Sequence, residues 1–165
     1  MADQNTASTA APASFGASLA DPGPLGLGAF ALTTFFLSSV NSGLIPVAVE
    51  PVVLGLALFY GGIVQVFAGM WEFAKGNTFG AVAFSSYGAF WLAFWYLVAH
   101  TDLKAMGADA GKGVGWFLLC WTIFTAIMLV ASLRTNGLLV GVFVLLTLTF
   151  IAPVSYTHLR AHETV

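Results

Sequence analysis

FYGGIVQVFAGMWEFAKGNTFGAVAFSSYGAFWLAFW, residues 59–95, decides how the rest of the chain folds. Two long apolar runs meet there at one short polar joint, Glu72 to Thr78, which holds a carboxylate, a lysine, a glycine, an amide and a hydroxyl. That is the profile of two membrane helices joined by a tight, exposed turn. The second run carries an unusual polar group, Ser85-Ser86-Tyr87-Gly88, at about the depth of the lipid core.

Composition extends this reading to the whole chain. Of 165 residues, 59% are hydrophobic and 7% charged. A soluble domain carries about 25% charged residues, and a water-facing surface cannot be built from so few. The outer surface must meet lipid, so the expected fold class is an all-α integral membrane protein. A β-barrel is disfavoured because its strands alternate apolar and polar over about 10 residues, whereas these runs are continuous. The net charge of -2 carries little information, and there is no basic patch of the kind nucleic acid requires. One cysteine, Cys120, excludes an internal disulfide and reads as a small buried core residue.

A spanning helix needs about 20 mainly apolar residues. The transmembrane domain is expected over residues 21–154, with five spans near 25–41, 52–74, 77–99, 114–133 and 138–154. The first opens on Asp21-Pro22-Gly23-Pro24, where proline is tolerated because the N–H of a first turn has no helical partner. Residues 42–51 read as a connection, His100 to Gly113 as a polar loop, and Arg134 to Gly137 as a turn. Residues 1–20 lack both Lys or Arg and an apolar centre, so they read as a disordered tail rather than a signal peptide. Residues 155–165 are suddenly polar, and His158 and His162 stand at a spacing that can hold a metal on a helix. No metal is expected: the plainer readings are an unstructured tail, or residues foreign to the natural protein. Four pairs of small residues, Gly76/Gly80, Ala81/Ser85, Gly111/Gly115 and Gly137/Gly141, have the spacing that lets helices approach closely in lipid.

No Lys or Arg falls inside any span. A fixed cation at mid-depth would hold an anion too tightly, and conduction needs sites that are favourable yet weak. The spans and their ends carry hydroxyls and amides instead: Thr33, Thr34, Gln65, Asn77, Thr78, Ser85, Ser86, Tyr87 and Thr147. The helix start at Pro24 to Gly28 adds unpaired N–H groups and a dipole that favour a carboxylate, with glycines that admit a ligand to the backbone. Each hydroxyl alone can equally be structural, bonded to its own helix or a neighbour. An intramembrane enzyme would need a nucleophile with its base at depth, and Ser85 and Ser86 have no histidine within a span. Axial histidines for a haem and a mid-membrane lysine for retinal are missing too. No enzyme and no cofactor are expected. A transporter or channel remains, beside a non-transporting structural membrane protein.

The residues then show a family likeness. Pro22 to Phe30, PGPLGLGAF, closely resembles the N-P-A-P-L-G-L signature that opens the first helix of the acetate uptake transporters, the succinate–acetate permeases. FYGG, GMWEF, KGNTFG and FSSYGAFW occur in that family's order and spacing, and residues 114–150 fit more loosely. The resemblance implies a six-helix, multi-pass protein of the cell membrane with both termini cytoplasmic, assembled as a homo-hexamer with one pathway per protomer. The substrate implied is acetate or a similar small carboxylate, succinate among them, moved together with protons; a passive acetate channel is the alternative. A substrate-binding motif maps to Asp21, Pro22, Pro24, Leu25, Gly26 and Leu27, and an apolar constriction to Phe30, Tyr87 and Leu146. Polar pathway or coupling candidates are Thr33, Thr34, Gln65, Glu72, Asn77, Thr78 and Ser86. Phe30, Thr33, Thr34 and Leu37 share one helical face, as do Gly80, Phe84, Tyr87 and Trp91. Two departures stand out: Asp21 replaces the family's Asn, and the family continues through a sixth helix, so the chain reads as C-terminally truncated.

Three charged or titratable positions carry their own expectations. Asp21 reads as a helix N-cap contributing about 1 kcal/mol, or as a gate that an anion passes only when the carboxylate is protonated. Glu72 precedes Lys75 by three, which reads as a surface ion pair contributing roughly 0–1 kcal/mol, with proton coupling as the other reading. His100, at a helix end, reads as interfacial.

Overall fold

The computed structural model describes residues 15–163, with side chains described as far as residue 151. After one 3-10 turn, Phe15–Ser18, come five helical runs: α1 Gly23–Asn41, α2 Val47–Lys75, α3 Thr78–His100, α4 Asp109–Ser132 and α5 Gly137–Glu163. The first four are long and apolar enough to cross a membrane, and α5 is apolar over Gly137–Ile151. Among the described residues there is no strand. The outward faces are continuous grease: Phe35, Phe59, Phe67, Trp116, Ile127, Val130 and Leu145 are all exposed. Water does not tolerate so large an apolar surface, whereas lipid is as apolar as leucine.

The joint between α2 and α3 forms as its residues dictate. Gly76 takes φ +84°, the left-handed conformation that ends a helix at little cost to glycine. The Gly76 N–H donates to the Phe73 carbonyl at 3.0 Å, and the Asn77 N–H to the Glu72 carbonyl at 2.9 Å. Asn77 Oδ1 then accepts the Gly80 N–H at 3.1 Å and caps α3.

Two kinds of packing follow from residue size. α1, α2 and α3 approach through small residues: a Cβ at Gly88 would lie 2.8 Å from the Val66 nitrogen and 3.0 Å from the Gly62 oxygen. α4 and α5 pack on each other, and α5 meets α3 through rings, Phe79 on Phe143 at 5.6 Å and Phe90 on Phe150 at 5.3 Å. Small residues bring backbones together and rings hold them apart. The bundle is therefore tight among α1–α3 and wider between α3 and α5.

Several expected boundaries move. The connection assigned to 42–51 shortens, because Val47–Val52 already winds as a 3-10 turn, with Pro51 inside it, that runs into α2. Leu56–Val64 of α2 is a π-helical segment; nothing in the apolar periodicity marks it. α4 starts at Asp109 instead of 114, with an acidic residue in its first turn where the helix dipole favours one and with Lys112 Nζ on Asp109 Oδ1 at 2.8 Å. The last helix, expected to close at 154, runs on to Glu163, and no Gly or Pro after Pro153 stops it. The tail expected to be disordered over 1–20 contains the Phe15–Ser18 turn, which lies on the end of α2; residues 1–14 fall outside the described residues, as do the side chains of His158 and His162. Cys120 is exposed, not buried, since in a bilayer apolar surroundings do not mean the protein interior. Of the small pairs, Gly80 and Ser85 sit at close contacts, while a Cβ at Gly111, Gly137 or Gly141 would meet nothing within 4 Å.

Candidate cavity and its lining

The space between α1, α2, α3 and α5 is a cavity of about 210 Å3. That is several times the roughly 30 Å3 share of one water, and below the roughly 300–1,000 Å3 of pockets for drug-sized ligands. The size suits a small solute. Asp21, Gly23, Glu72, Asn77 and Leu139 line one end, where α1, α3 and α5 begin and α2 finishes. Phe30, Gln65, Tyr87 and Leu146 line the deeper part. At 1.5 Å rise per residue they stand about 10–15 Å in from the ends of their helices, close to the middle of a hydrocarbon layer about 30 Å thick.

The deep level is aromatic and rigid. The Phe30 and Tyr87 rings meet edge to face at 5.6 Å, and Tyr87 also touches Phe124 at 5.6 Å and Phe143 at 6.1 Å. Tyr87 is 3% exposed. Its hydroxyl hydrogen-bonds to Thr125 Oγ1 at 2.9 Å, and Thr125 is fully buried on α4. Leu146 is buried and closes the wall from α5. Thus three side chains from three helices face one space. Gln65, 1% exposed, shares that level, with its Oε1 buried and without a hydrogen-bond partner.

The shallow level holds the charge, and here the structure corrects the sequence. Lys75 pairs with Asp21, Nζ to Oδ1 at 3.2 Å, and not with Glu72. Glu72 is 2% exposed and its Oε2 is buried without a partner. The i, i+3 argument assumes an exposed face. This face is covered by the starts of α1 and α3, and two glycines there leave room for the carboxylate: a Cβ at Gly80 would stand 3.0 Å from Glu72 Cδ, and one at Gly23 would stand 3.6 Å from Oε1. Asp21 does not occupy the cap position, which is Pro22. It works from one residue further out, accepting the Gly23 N–H at 3.2 Å. That bond first, and then Lys75, hold its carboxyl below the usual aspartate range.

The remaining candidates are placed as follows. Leu27 and Asn77 line the cavity. Pro22 is buried, Pro24 and Leu25 are exposed, and Gly26 is packed under the Phe84 ring, where a Cβ would come within 2.6 Å. Thr33 is buried against Gly61 and bonds the Ala29 carbonyl at 2.9 Å. Thr34 is half-buried with its hydroxyl unpartnered, Thr78 is exposed and Ser86 half-buried; neither these nor Thr33 line the cavity. Ser39, Thr122, Thr147 and Thr149 also bond their own helix, as hydroxyls in lipid do. His100 is exposed beside Trp95 and Tyr96, at 4.6 and 5.5 Å, as an interfacial residue would be. Sequence reasoning placed Phe84 on the face of Tyr87 but missed Phe79, Ala83, Leu139, Val142 and Phe143 as lining residues. Apolar side chains in apolar helices carry no signal that separates a cavity wall from ordinary core. Among the described residues no three His, Cys, Asp or Glu side chains gather as a metal site would require.

Helices, greasy exterior and internal cavity together define a multi-pass α-helical membrane protein with a small, mostly apolar chamber. The chain belongs to the GPR1/FUN34/yaaH family, whose pattern it matches over residues 4–165. It is 47% identical over 141 residues to acetate permease A of Emericella nidulans, an alignment covering 80% of this chain and 47% of the permease. It is 41% identical over 132 residues to the succinate-acetate/proton symporter SatP of Escherichia coli, covering 80% of this chain and 69% of SatP. The chain spans about half the length of the fungal relatives it matches. In three dimensions it resembles the bacterial acetate channel SatP with a TM-score of 0.72 and 38% identity, over 83% of this chain and 77% of that one.

Proposed function

We propose that the protein carries small monocarboxylates, chiefly acetate, and also the dicarboxylate succinate, across the cell membrane, together with protons. The observation that carries this is the cavity itself. It is small, apolar at mid-depth around Phe30, Tyr87 and Leu146, and supplied with a few polar groups at Gln65, Glu72 and Asn77. Two aromatic rings and a leucine pass a short, narrow acid and reject a bulky one. The motif from Asp21 to Leu27 sits at the shallow end, where an N-terminal helix dipole favours a carboxylate. The names and folds of the relatives point the same way. A cytoplasmic N-terminus and a hexamer of protomers belong to the same reading, supported by the family resemblance.

The test is uptake of labelled acetate by cells or liposomes holding the full-length protein. Saturable entry, inhibited by unlabelled acetate and missing from empty controls, is expected; its absence sinks the reading and leaves a structural membrane protein. The structural likeness to a protein described as a channel favours a second reading, passive conduction. An imposed pH gradient separates the two. Proton-coupled transport accumulates acetate against its gradient, whereas a channel only equilibrates the anion.

A further inference from the structure

We propose that Glu72 and Gln65 form two donor-seeking positions along one wall of the cavity, and that the species they receive is the undissociated carboxylic acid, not the bare anion. The inference rests on the transport reading above and gives it a chemical form. Glu72 Oε2 and Gln65 Oε1 are buried acceptors with no donor, on side chains 2% and 1% exposed, and both residues line the cavity. They stand seven residues apart on α2, two turns of one helical face, at the shallow and the deep level. A buried acceptor left empty is costly, so a ligand bringing an O–H relieves it.

The charges around Glu72 argue against a bare anion. From α1 the facing group is Asp21, itself acidic and bound to the Gly23 N–H and Lys75. On α2, Lys75 follows three residues later; it is held by Asp21 and does not line the cavity. α3 presents Asn77 and Gly80, and α5 presents Leu139, Val142 and Phe143, none of them titratable. Arg134, before α5, is exposed and does not line the space. Tyr87, deeper in, is the other titratable group among the described lining residues, and its hydroxyl is engaged by Thr125. An acetate ion would thus enter beside a buried carboxylate with no free cation among the described residues of the cavity wall. Two carboxylates in one low-dielectric site share a proton. The occupied cavity then holds two carboxylate groups with one proton between them; the proton arrives and leaves with the acid, and Glu72 ends as it began.

The experiment measures KM for total acetate in liposomes holding the full-length protein, between pH 6 and 8. Well above the acid's own pKa, the undissociated fraction falls about tenfold per pH unit. Wild-type KM is expected to rise by about that factor per unit. In Glu72→Gln, whose amide can also donate to an anion, KM is expected to change less than about twofold per unit. Glu72→Asp keeps the carboxylate and is expected to keep the steep slope. A flat wild-type KM overturns the proposal without any variant, and so does a Glu72→Gln slope equal to wild type. Competition by ammonium that vanishes in Glu72→Gln also overturns it, because the occupant would then be a cation. No saturable acetate entry at any pH overturns the transport reading itself, whereas entry with a flat KM leaves that reading standing and removes only this one.

Discussion

Replacing Thr125 with valine tests how the Tyr87 ring is held. Valine keeps the shape of threonine and removes its hydroxyl. The Tyr87 hydroxyl, 2.9 Å from Thr125 Oγ1, then lies in a buried place with no partner. Leaving one buried donor unsatisfied costs about 1–3 kcal/mol, equivalent to a population ratio of roughly 5–150-fold. The ring has two responses. It can stay, caged by Phe30, Phe124 and Phe143, and the whole cost falls on folding. Or it can swing so that the hydroxyl finds water in the adjoining cavity, which opens the constriction. The first lowers thermal stability in detergent, and the second lets longer monocarboxylates compete with acetate. Thr125→Ser keeps the hydroxyl and is expected to restore selectivity, with only the smaller loss from one methyl. The assay pairs thermal melts with competition uptake using monocarboxylates of increasing chain length. A Thr125→Val protein with unchanged melting and unchanged selectivity would show that the hydrogen bond does not position the ring. Identical behaviour of the serine and valine variants would show that the hydroxyl makes no difference.

Three further outcomes are expected. Phe30→Ala and Tyr87→Ala broaden the accepted size of monocarboxylate, read as stronger inhibition of acetate uptake by longer acids; unchanged selectivity counts against the constriction. Gly88→Ala forces a methyl against backbone atoms of α2, at 2.8 and 3.0 Å, and costs about 1–3 kcal/mol as overpacking, whereas Gly141→Ala, with nothing within 4 Å, is neutral or raises stability through helix propensity; thermal melts of the pair decide. Asp21→Asn keeps an acceptor for the Gly23 N–H and loses the charge that Lys75 engages. Because the Asp21 carboxyl is held below its ordinary value of 3.8, its contribution is present above that value and fades as pH falls through the lower folded one; the asparagine protein is expected to lose that part of the acid sensitivity in melts taken across the window.

The sequence alone decided that this chain lives in a bilayer, because 7% charged residues cannot cover a protein in water. It also decided the α2–α3 joint, since Gly76 and Asn77 are local signals whose chemistry works within a few residues. The family likeness was readable in PGPLGLGAF and KGNTFG for the same reason: a motif is a local object. Tertiary structure decided everything that depends on which face of a helix points where. In water, polarity marks the outside. In lipid, apolar residues sit on both sides, so Phe143 on the cavity wall and Val144 on the exposed surface of α5 look alike in one dimension. Cys120 was misplaced, and Phe79, Val142 and Phe143 were overlooked, for that reason. Glu72 and Lys75 are three apart, yet the lysine reaches 54 residues back to Asp21 while the glutamate turns inward beneath Gly23 and Gly80. Thr125 became the partner of Tyr87 only when α4 came to lie against α3. Pairings between helices depend on their rotation and approach, and those are set by the summed packing of many side chains rather than by any short run of sequence.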